Sequence, residues 1–174
     1  RAGIRTVAVM EAATTAQQGA DGLVPGQEPR EYERVVRTAV SAGQLLTAIE
    51  VAREGLERFG ETGCLRQQLA LALVQTGALA AAREVLAAGR PGEVHDEETL
   101  CLLGRVHKEM WRRAADPRAA DAAIQRACEL YGEAFDRHES YYPGINLAFT
   151  LAAAGRRAQA RQCARKVARQ CAAA

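Results

Sequence analysis

From Pro29 onward, apolar residues recur every three or four positions almost without interruption. This spacing is typical of amphipathic helices, and no strand-like alternation interrupts it. The preceding residues differ, because a short apolar segment, about residues 4–18, is followed by the turn-rich stretch QQGADGLVPGQEP. The pattern predicts an N-terminal segment or linker over residues 1–28, with one candidate short helix, and a helical domain over residues 29–174.

Within the helical region the chain repeats itself with a fixed offset. Gly43 matches Gly77 and Ala48 matches Ala82, and the members of each pair are 34 residues apart. A period of 34 residues is that of tetratricopeptide repeats, in which each unit is a pair of antiparallel helices. Glycine suits the end of the first helix, and alanine suits the place where the two helices cross. The offset therefore predicts helical hairpins that turn at Gly43 and Gly77.

Two further units follow, and one is longer than the period allows. The stretch YYPGINLAFTLAAAGR begins a unit that turns at Gly155, has its close-approach alanine at Ala160, and is expected to carry Ala164 and Val167 on its inner face. The corresponding alanine of the preceding unit is Ala127, which lies about eleven residues late. The predicted fold class is all-α, a right-handed α-α superhelix of about four tetratricopeptide-like hairpins, with the third hairpin, residues 97–136, enlarged.

Two motifs in the second half of the chain point to a narrower family. The segments GRVHK (residues 104–108) and YPGINL (residues 142–147), with the long insertion between them, resemble the TRAFs-binding region of the apoptosis signal-regulating kinases and its bacterial relatives. The likeness extends over about residues 96–156. The resemblance implies a helical-repeat regulatory or scaffolding module, which in bacteria would lie beside signalling or conflict-type effector domains.

In a stack of such hairpins, the first helices line one concave groove. From the first to the fourth unit, the residues expected in this groove are Arg37, Gln68, Arg105, Lys108, Tyr142, Asn146 and Phe149. The aromatic side chains suit a peptide or helix of a protein partner, and Arg105 and Lys108 favour an acidic segment. An effector domain in the same polypeptide is a further candidate partner. Asn146 has two roles open to it: holding a bound peptide backbone, or bonding a main-chain carbonyl of the neighbouring hairpin.

The C-terminal helix offers a second candidate surface. Its positive residues include Arg157, Arg161, Arg165 and Arg169, with no acidic residue between them. Such a stripe is able to bind the phosphates of RNA or DNA, so a nucleic-acid-binding module is the alternative function. A solvated helix face explains the same residues, because no aromatic side chain is interleaved for base stacking. The net charge of +2 does not by itself decide between nucleic-acid binding and a solvated helix face.

The sequence contains no recognisable catalytic motif, such as Gly-x-Ser-x-Gly, a phosphate loop or His-Glu-x-x-His. His107 is a candidate base or ligand, but packing beside Trp111, one turn away, explains it as well. In the stretch HDEE, residues 95–98, adjacent side chains point in different directions on a helix, and Asp96 suits a helix N-cap. We therefore expect no enzyme activity, no catalytic residue, no metal site and no cofactor.

Cysteine usage and hydropathy bear on the compartment. The five scattered cysteines are Cys64, Cys101, Cys128, Cys163 and Cys171, and none forms a Cys-x-x-Cys pair. They are typical of small buried or half-buried thiols in a reducing compartment, so we expect a cytoplasmic location. No apolar run reaches the roughly 18 to 20 residues that a membrane span requires, and no membrane partner is expected.

Overall fold

A computed structural model of the chain describes residues 28–60, 62–88 and 96–173. These residues form eight helices and no strand, so the all-α prediction is confirmed for them. The helices are α1 (Pro29–Ser41), α2 (Leu45–Phe59), α3 (Gly63–Thr76), α4 (Leu79–Ala87), α5 (Glu97–Arg113), α6 (Pro117–His138), α7 (Tyr141–Ala153) and α8 (Arg157–Ala173). The short helix expected near residues 4–18 lies outside the described residues. The chain divides into two compact units, Arg1–Ala72 and Leu73–Ala174, with the boundary inside α3.

In the first unit, α1 and α2 pack around a buried tyrosine. Tyr32 of α1 is only 1% exposed, and a Cβ placed on Gly55 of α2 would lie 2.9 Å from its ring. The phenol hydroxyl donates to a Glu54 carboxylate oxygen at 2.6 Å and accepts from Arg58 at 3.4 Å. A glycine is therefore needed where the tyrosine ring crosses the second helix, and the buried hydroxyl is fully paired.

The three glycine turns share one geometry. Gly43, Gly77 and Gly155 have φ values of +73°, +86° and +78°, in the left-handed region that glycine enters without strain. In each turn, the residue after the glycine donates its backbone N–H to a carbonyl five residues earlier, at 2.8–2.9 Å. This is the bond of a Schellman helix end. The predicted turns are confirmed.

The third hairpin is enlarged as the sequence predicts. Helix α5 has 17 residues and α6 has 22, and the two pack along each other. Asp96 caps α5 by accepting from the Thr99 N–H at 2.7 Å, and Asp116 caps α6 by accepting from the Ala119 N–H at 2.9 Å. Pro117 follows at the first position of α6, where its missing N–H is harmless.

The opening of α7 is shaped by close packing. A Cβ on Gly144 would lie 2.5 Å from Val167 of α8 and 2.7 Å from the ring of Phe135 of α6. The thiol of Cys163 donates to the Gly144 carbonyl at 3.3 Å. Ala164, which was expected on the inner face, is exposed. The buried positions of α8 are Ala160, Cys163 and Val167, so Ala160 and Val167 are confirmed and Cys163 takes the place expected for Ala164.

The cysteines form no disulfide among the described residues. Cys101, Cys128 and Cys163 are buried and Cys64 is half-buried, as expected, but Cys171 is exposed, so the prediction is wrong for that residue. No helix in the described ranges is both long enough and apolar enough to cross a membrane.

Replacing the close-approach alanines should destabilise the fold. Ala48 and Ala82 are 0% exposed, so Ala48→Leu and Ala82→Leu should each lower the free energy of unfolding by roughly 1–3 kcal/mol through overpacking. Ala80→Leu on the exposed side of α4 is the control, and it should change stability by no more than about 0.5 kcal/mol. Urea denaturation measures both effects. If Ala82→Leu unfolds like Ala80→Leu, the assigned repeat register is wrong.

Candidate partner-binding site

Helix α7 exposes a row of large apolar side chains. Tyr142, Ile145 and Phe149 are 46%, 53% and 52% exposed, although the opposite side of the same helix packs into the core through Leu147 and Leu151. The spacing of three and four residues keeps the exposed row on one helix face. A cluster of exposed apolar side chains of this kind usually marks an interaction surface.

A lysine of α5 joins this row to the third hairpin. The Lys108 ammonium donates to Asn146 Oδ1 at 2.8 Å, and it lies 5.6 Å from the centre of the Phe149 ring. Asn146 Nδ2 in turn donates to the carbonyl of Tyr142 at 3.0 Å. The amide of Asn146 therefore makes both of these hydrogen bonds within the chain. One of the two expected roles was a bond to a main-chain carbonyl of the neighbouring hairpin, but the group of that hairpin that bonds Asn146 is the Lys108 side chain. We call the surface formed by Arg105, Lys108, Tyr142, Ile145, Asn146 and Phe149 the α5–α7 surface.

An aromatic contact extends the same junction. The rings of Trp111 and Phe149 meet edge to face, with centroids 6.3 Å apart and planes at 72°. This geometry is the preferred one for an aromatic pair and holds Phe149 in place. The end of α5 and the middle of α7 thus present a preformed apolar edge.

Beneath the α5–α7 surface lies a tyrosine with an unpaired hydroxyl. Tyr131 of α6 is 0% exposed, and its ring packs where a Cβ on Gly104 would lie, at 2.9 Å. Its hydroxyl has no hydrogen-bond partner among the residues that the structure describes. The Lys108 ammonium lies 5.8 Å from the centre of the ring. A buried unpaired hydroxyl costs about 1–3 kcal/mol, which makes this group unusual in a stable core.

Burial and charge perturb the titratable groups of the surface. Burial lowers the pKa of Lys108, the charge of Glu109 opposes this shift, and the positive charges of Arg105 and Arg112 add to it. Burial also raises the pKa of Cys101 to about 12, so this residue stays a neutral thiol. The pKa of Tyr131 is raised well above its usual value, first by burial and then by Tyr142 and Cys101. The tyrosine therefore stays a protonated hydrogen-bond donor.

Two predicted groove residues, Arg37 and Gln68, belong to the first compact unit, Arg1–Ala72, and both lie near Cys64. Gln68 Nε2 donates to Cys64 Sγ at 3.3 Å. Burial and the charge of Glu33 raise the pKa of the Cys64 thiol, whereas the charge of Arg37 lowers it. Arg105, Lys108, Tyr142, Asn146 and Phe149 meet in the second unit instead. A single groove containing all seven residues stays a prediction.

The predicted basic face of α8 is exposed. Arg157, Arg161, Arg165 and Arg169 all lie at the surface. Lys166 on the same helix has a different role, because its ammonium bonds a Glu139 carboxylate oxygen at 2.8 Å and lies 4.7 Å from the centre of the Phe135 ring. The lysine therefore holds the end of α6 against α8.

His107 lies away from the α5–α7 surface. It is half-buried and lines a small cavity with Leu100, Leu103 and Leu130. Burial, together with the charges of Arg126 and Arg83, lowers its pKa, which favours the neutral ring. The described ranges hold no group of three or more metal-ligating side chains, and His95 lies outside them. These contacts fit a structural histidine.

Tyr131 and the contact between Trp111 and Phe149 were not predicted from the sequence. A signal for Tyr131 exists in the repeat register. It lies four residues after Ala127, the position that Ala52 and Leu86 hold after their own alanines. A tyrosine at that position needs space on the facing helix, and Gly104 on that helix provides it. The two residues together therefore predict a tyrosine ring packed on glycine. No comparable signal exists for the tryptophan contact, because it depends on how neighbouring hairpins cross.

The packed helical hairpins, their shared glycine turns and the small residues at their crossings define a tetratricopeptide-like repeat protein. A family model described as Tetratricopeptide Repeats-Sensor matches residues 44–152. Because the match covers more than half of the chain, the chain belongs to this family. The family match does not confirm the finer resemblance to the TRAFs-binding region. A search among curated proteins found no match.

Solved structures with the same fold agree with this class. The human IFIT1 dimer with PPP-AAAA is similar at a TM-score of 0.72 and 15% identity, over 80% of this chain and 32% of that chain. The thermophilic tetratricopeptide protein TTC0263 of Thermus thermophilus is similar at a TM-score of 0.68 and 15% identity, over 80% of this chain and 73% of that chain. MamA of Desulfovibrio magneticus RS-1 is similar at a TM-score of 0.66 and 17% identity, over 82% of this chain and 75% of that chain. The chain thus spans about a third of the IFIT1 chain, and these likenesses confirm the predicted fold class.

Proposed function

We propose that the chain is a non-catalytic interaction module that binds an acidic, partly apolar segment of a protein partner on the α5–α7 surface. The observation that carries this proposal is the exposed row of Tyr142, Ile145 and Phe149, 46–53% exposed, on a helix that is otherwise packed into the core. Folds of this class generally serve as non-enzymatic scaffolds that bind protein partners.

The chemistry of the surface favours an acidic segment. Arg105 and Lys108 lie on the α5 side of the apolar row, and Lys108 reaches across it to Asn146. Aromatic and apolar side chains provide the anchor of an interface, and cations beside them select a complementary charge. A partner segment with one or two apolar side chains next to Asp or Glu fits this arrangement.

The family supports a regulatory setting for the module. Its description as a sensor, and the resemblance of residues 96–156 to the TRAFs-binding region, both fit a module that couples partner binding to signalling. The partner segment then belongs to a cytoplasmic signalling protein or to an effector domain in the same polypeptide.

Nucleic acid binding on α8 is the second candidate. The supporting observation is the exposed row Arg157, Arg161, Arg165 and Arg169, for which the described part of the chain offers no ion pair. The IFIT1 structure contains PPP-AAAA, but at 15% identity that likeness concerns the fold alone. Salt dependence separates the two candidates, because binding to phosphates weakens steeply with salt and binding to a largely apolar groove weakens less.

A displayed library of random peptides, panned against the immobilised chain, tests the leading proposal. We expect the captured peptides to be enriched in Asp or Glu beside aromatic or aliphatic residues. A synthetic peptide with a selected sequence is then added to the chain. Its binding should change the amide and side-chain NMR shifts of residues in α5 and α7. A captured pool with the composition of the starting library, or shifts confined to α8, would contradict the proposal.

A further inference from the structure

We propose that the α5–α7 surface contains a carboxylate subsite at Tyr131. In it, a Glu or Asp side chain of the bound segment accepts hydrogen bonds from the Tyr131 hydroxyl and the Lys108 ammonium. This inference rests on the proposed function and names the group of the partner that this part of the surface recognises. The segment's apolar side chains then lie along Tyr142, Ile145 and Phe149.

The unpaired hydroxyl of Tyr131 is the first argument. The residue is 0% exposed, and no side chain or backbone group in the described part of the chain pairs with its hydroxyl. Buried hydroxyls in folded proteins are nearly always paired, so an exception indicates a partner supplied from elsewhere. The group is held firmly, because its ring fills the space above Gly104 at 2.9 Å from a hypothetical Cβ.

The first unit of the same chain provides a precedent for the missing partner. There, Tyr32 is also buried against a glycine of the facing helix, and its hydroxyl donates to the carboxylate of Glu54 at 2.6 Å while Arg58 donates to it at 3.4 Å. The set is a tyrosine, a carboxylate and a cation. Around Tyr131 the tyrosine and the cation are present, but no carboxylate of the described ranges bonds the hydroxyl.

Donor groups of Lys108, Asn146 and Arg105 lie around Tyr131. Lys108 uses one of its three N–H groups on Asn146, and Asn146 uses one N–H on the Tyr142 carbonyl. Arg105 adds a guanidinium whose charge acts on the Tyr131 phenol. Glu109 also acts on it, but Glu109 lies 3.6 Å from Arg112, its ion-pair partner. A ligand with acceptor oxygens and one negative charge satisfies this set.

Lys108 is the group that a carboxylate would engage first. Its ammonium is half-buried, lies over the rings of Tyr131 and Phe149, and has a pKa lowered mainly by burial. An ammonium in such surroundings gains from a counter-charge, and its long flexible side chain is able to move toward one. Because the Lys108 ammonium lies 5.8 Å from the centre of the Tyr131 ring, a carboxylate bound to it comes close to this ring, and it reaches the enclosed hydroxyl when the Lys108 side chain moves outward.

The test uses the whole chain with ¹³C-labelled tyrosine. The chain has four tyrosines, so the ring signals are few, and Tyr131→Phe identifies that of Tyr131. The first probe is N-acetylglutamate α-amide, with N-acetylglutamine α-amide and inorganic phosphate as comparisons, each titrated to about 100 mM because a few hydrogen bonds give millimolar affinity. We expect a saturating shift at Tyr131 with the glutamate probe and a response at least about tenfold weaker with the other two.

The second probe is a synthetic peptide selected by panning, together with the same peptide carrying Glu→Gln. We expect Tyr131→Phe and Lys108→Gln to weaken the parent peptide about tenfold, and to weaken the Glu→Gln peptide far less. Tyr131→Phe should leave the melting temperature unchanged or raise it, because it removes an unpaired hydroxyl, whereas Tyr32→Phe should lower it. A purely structural tyrosine would show the reverse: lost stability with the Glu–Gln preference unchanged.

The outcomes separate the subsite from the proposed function. If the chain captures peptides but Tyr131→Phe does not reduce a preference for the Glu peptide over the Gln peptide, the subsite is wrong and the proposed function still holds. A glutamate probe that shifts Tyr131 without any peptide capture keeps the carboxylate site, but overturns the protein segment as its source. A phosphate response equal to or stronger than that of the glutamate probe, or no saturable response to either probe set, overturns the subsite.

Discussion

Replacing Gly144 with alanine is expected to lower the free energy of unfolding by roughly 1–3 kcal/mol. The added Cβ would lie 2.5 Å from Val167 and 2.7 Å from the Phe135 ring, and neither neighbour is the far end of a flexible chain. The backbone there is held as well, since the thiol of Cys163 donates to the Gly144 carbonyl at 3.3 Å. Alanine must therefore push α7 away from α6 and α8. Urea denaturation, followed by circular dichroism, measures the change.

Gly132→Ala is the matched control, and it should act in the opposite direction. Gly132 lies within α6, and a Cβ there would meet only Leu147, at 3.9 Å, which is ordinary contact. Alanine is favoured over glycine in a helix interior by up to about 1 kcal/mol, so this variant should be as stable as the parent or more stable. Equal destabilisation by both variants would contradict the packing described for Gly144.

Combining Arg105→Glu with Phe149→Ala is expected to weaken binding of a selected acidic peptide about 100-fold. Truncating an aromatic anchor at the centre of an interface removes about 2 kcal/mol, roughly a 30-fold change in Kd. Reversing the charge of Arg105 adds repulsion of the acidic segment. Helix content should be preserved, because Phe149 is 52% exposed and Arg105 is only half-buried. Fluorescence anisotropy of the labelled peptide measures the affinity.

Arg161→Glu combined with Arg165→Glu is the control for charge alone. Both residues are exposed on α8, away from the apolar row, so this variant should bind the peptide as the parent does. If the α8 variant alone loses its ligand, and that ligand is RNA or DNA, the partner-binding proposal falls and the nucleic-acid function takes its place.

The repeat register predicted much of the fold. The turns at Gly43, Gly77 and Gly155 and the cap at Asp96 were predictable because each depends on residues within about five positions. Such local geometry follows from backbone preferences and short-range hydrogen bonds. On the inner face of α8 one position was predicted wrongly, Ala164 instead of Cys163, because both residues are small enough for a helix interface and only packing chooses between them.

The candidate site was only partly predictable. The sequence analysis named Lys108, Asn146 and Phe149, but it assigned them from the repeat register and not from contacts. It did not indicate that Lys108 bonds Asn146 or that Trp111 meets Phe149. It also missed Tyr131, because a buried tyrosine in a helical stripe is ordinary core until its hydroxyl proves to be unpaired.

The sequence by itself determined the helices, their ends and the small residues at their crossings, and with them the tetratricopeptide class. These features depend on the period of 34 residues and on interactions between near neighbours. Only the tertiary structure decided which side chains meet between hairpins, such as Lys108 and Asn146, 38 positions apart. The enlarged third hairpin breaks the period, so the register no longer determines where α5 crosses α7. Contacts between those helices depend on packing in three dimensions, and the features that distinguish this surface lie there.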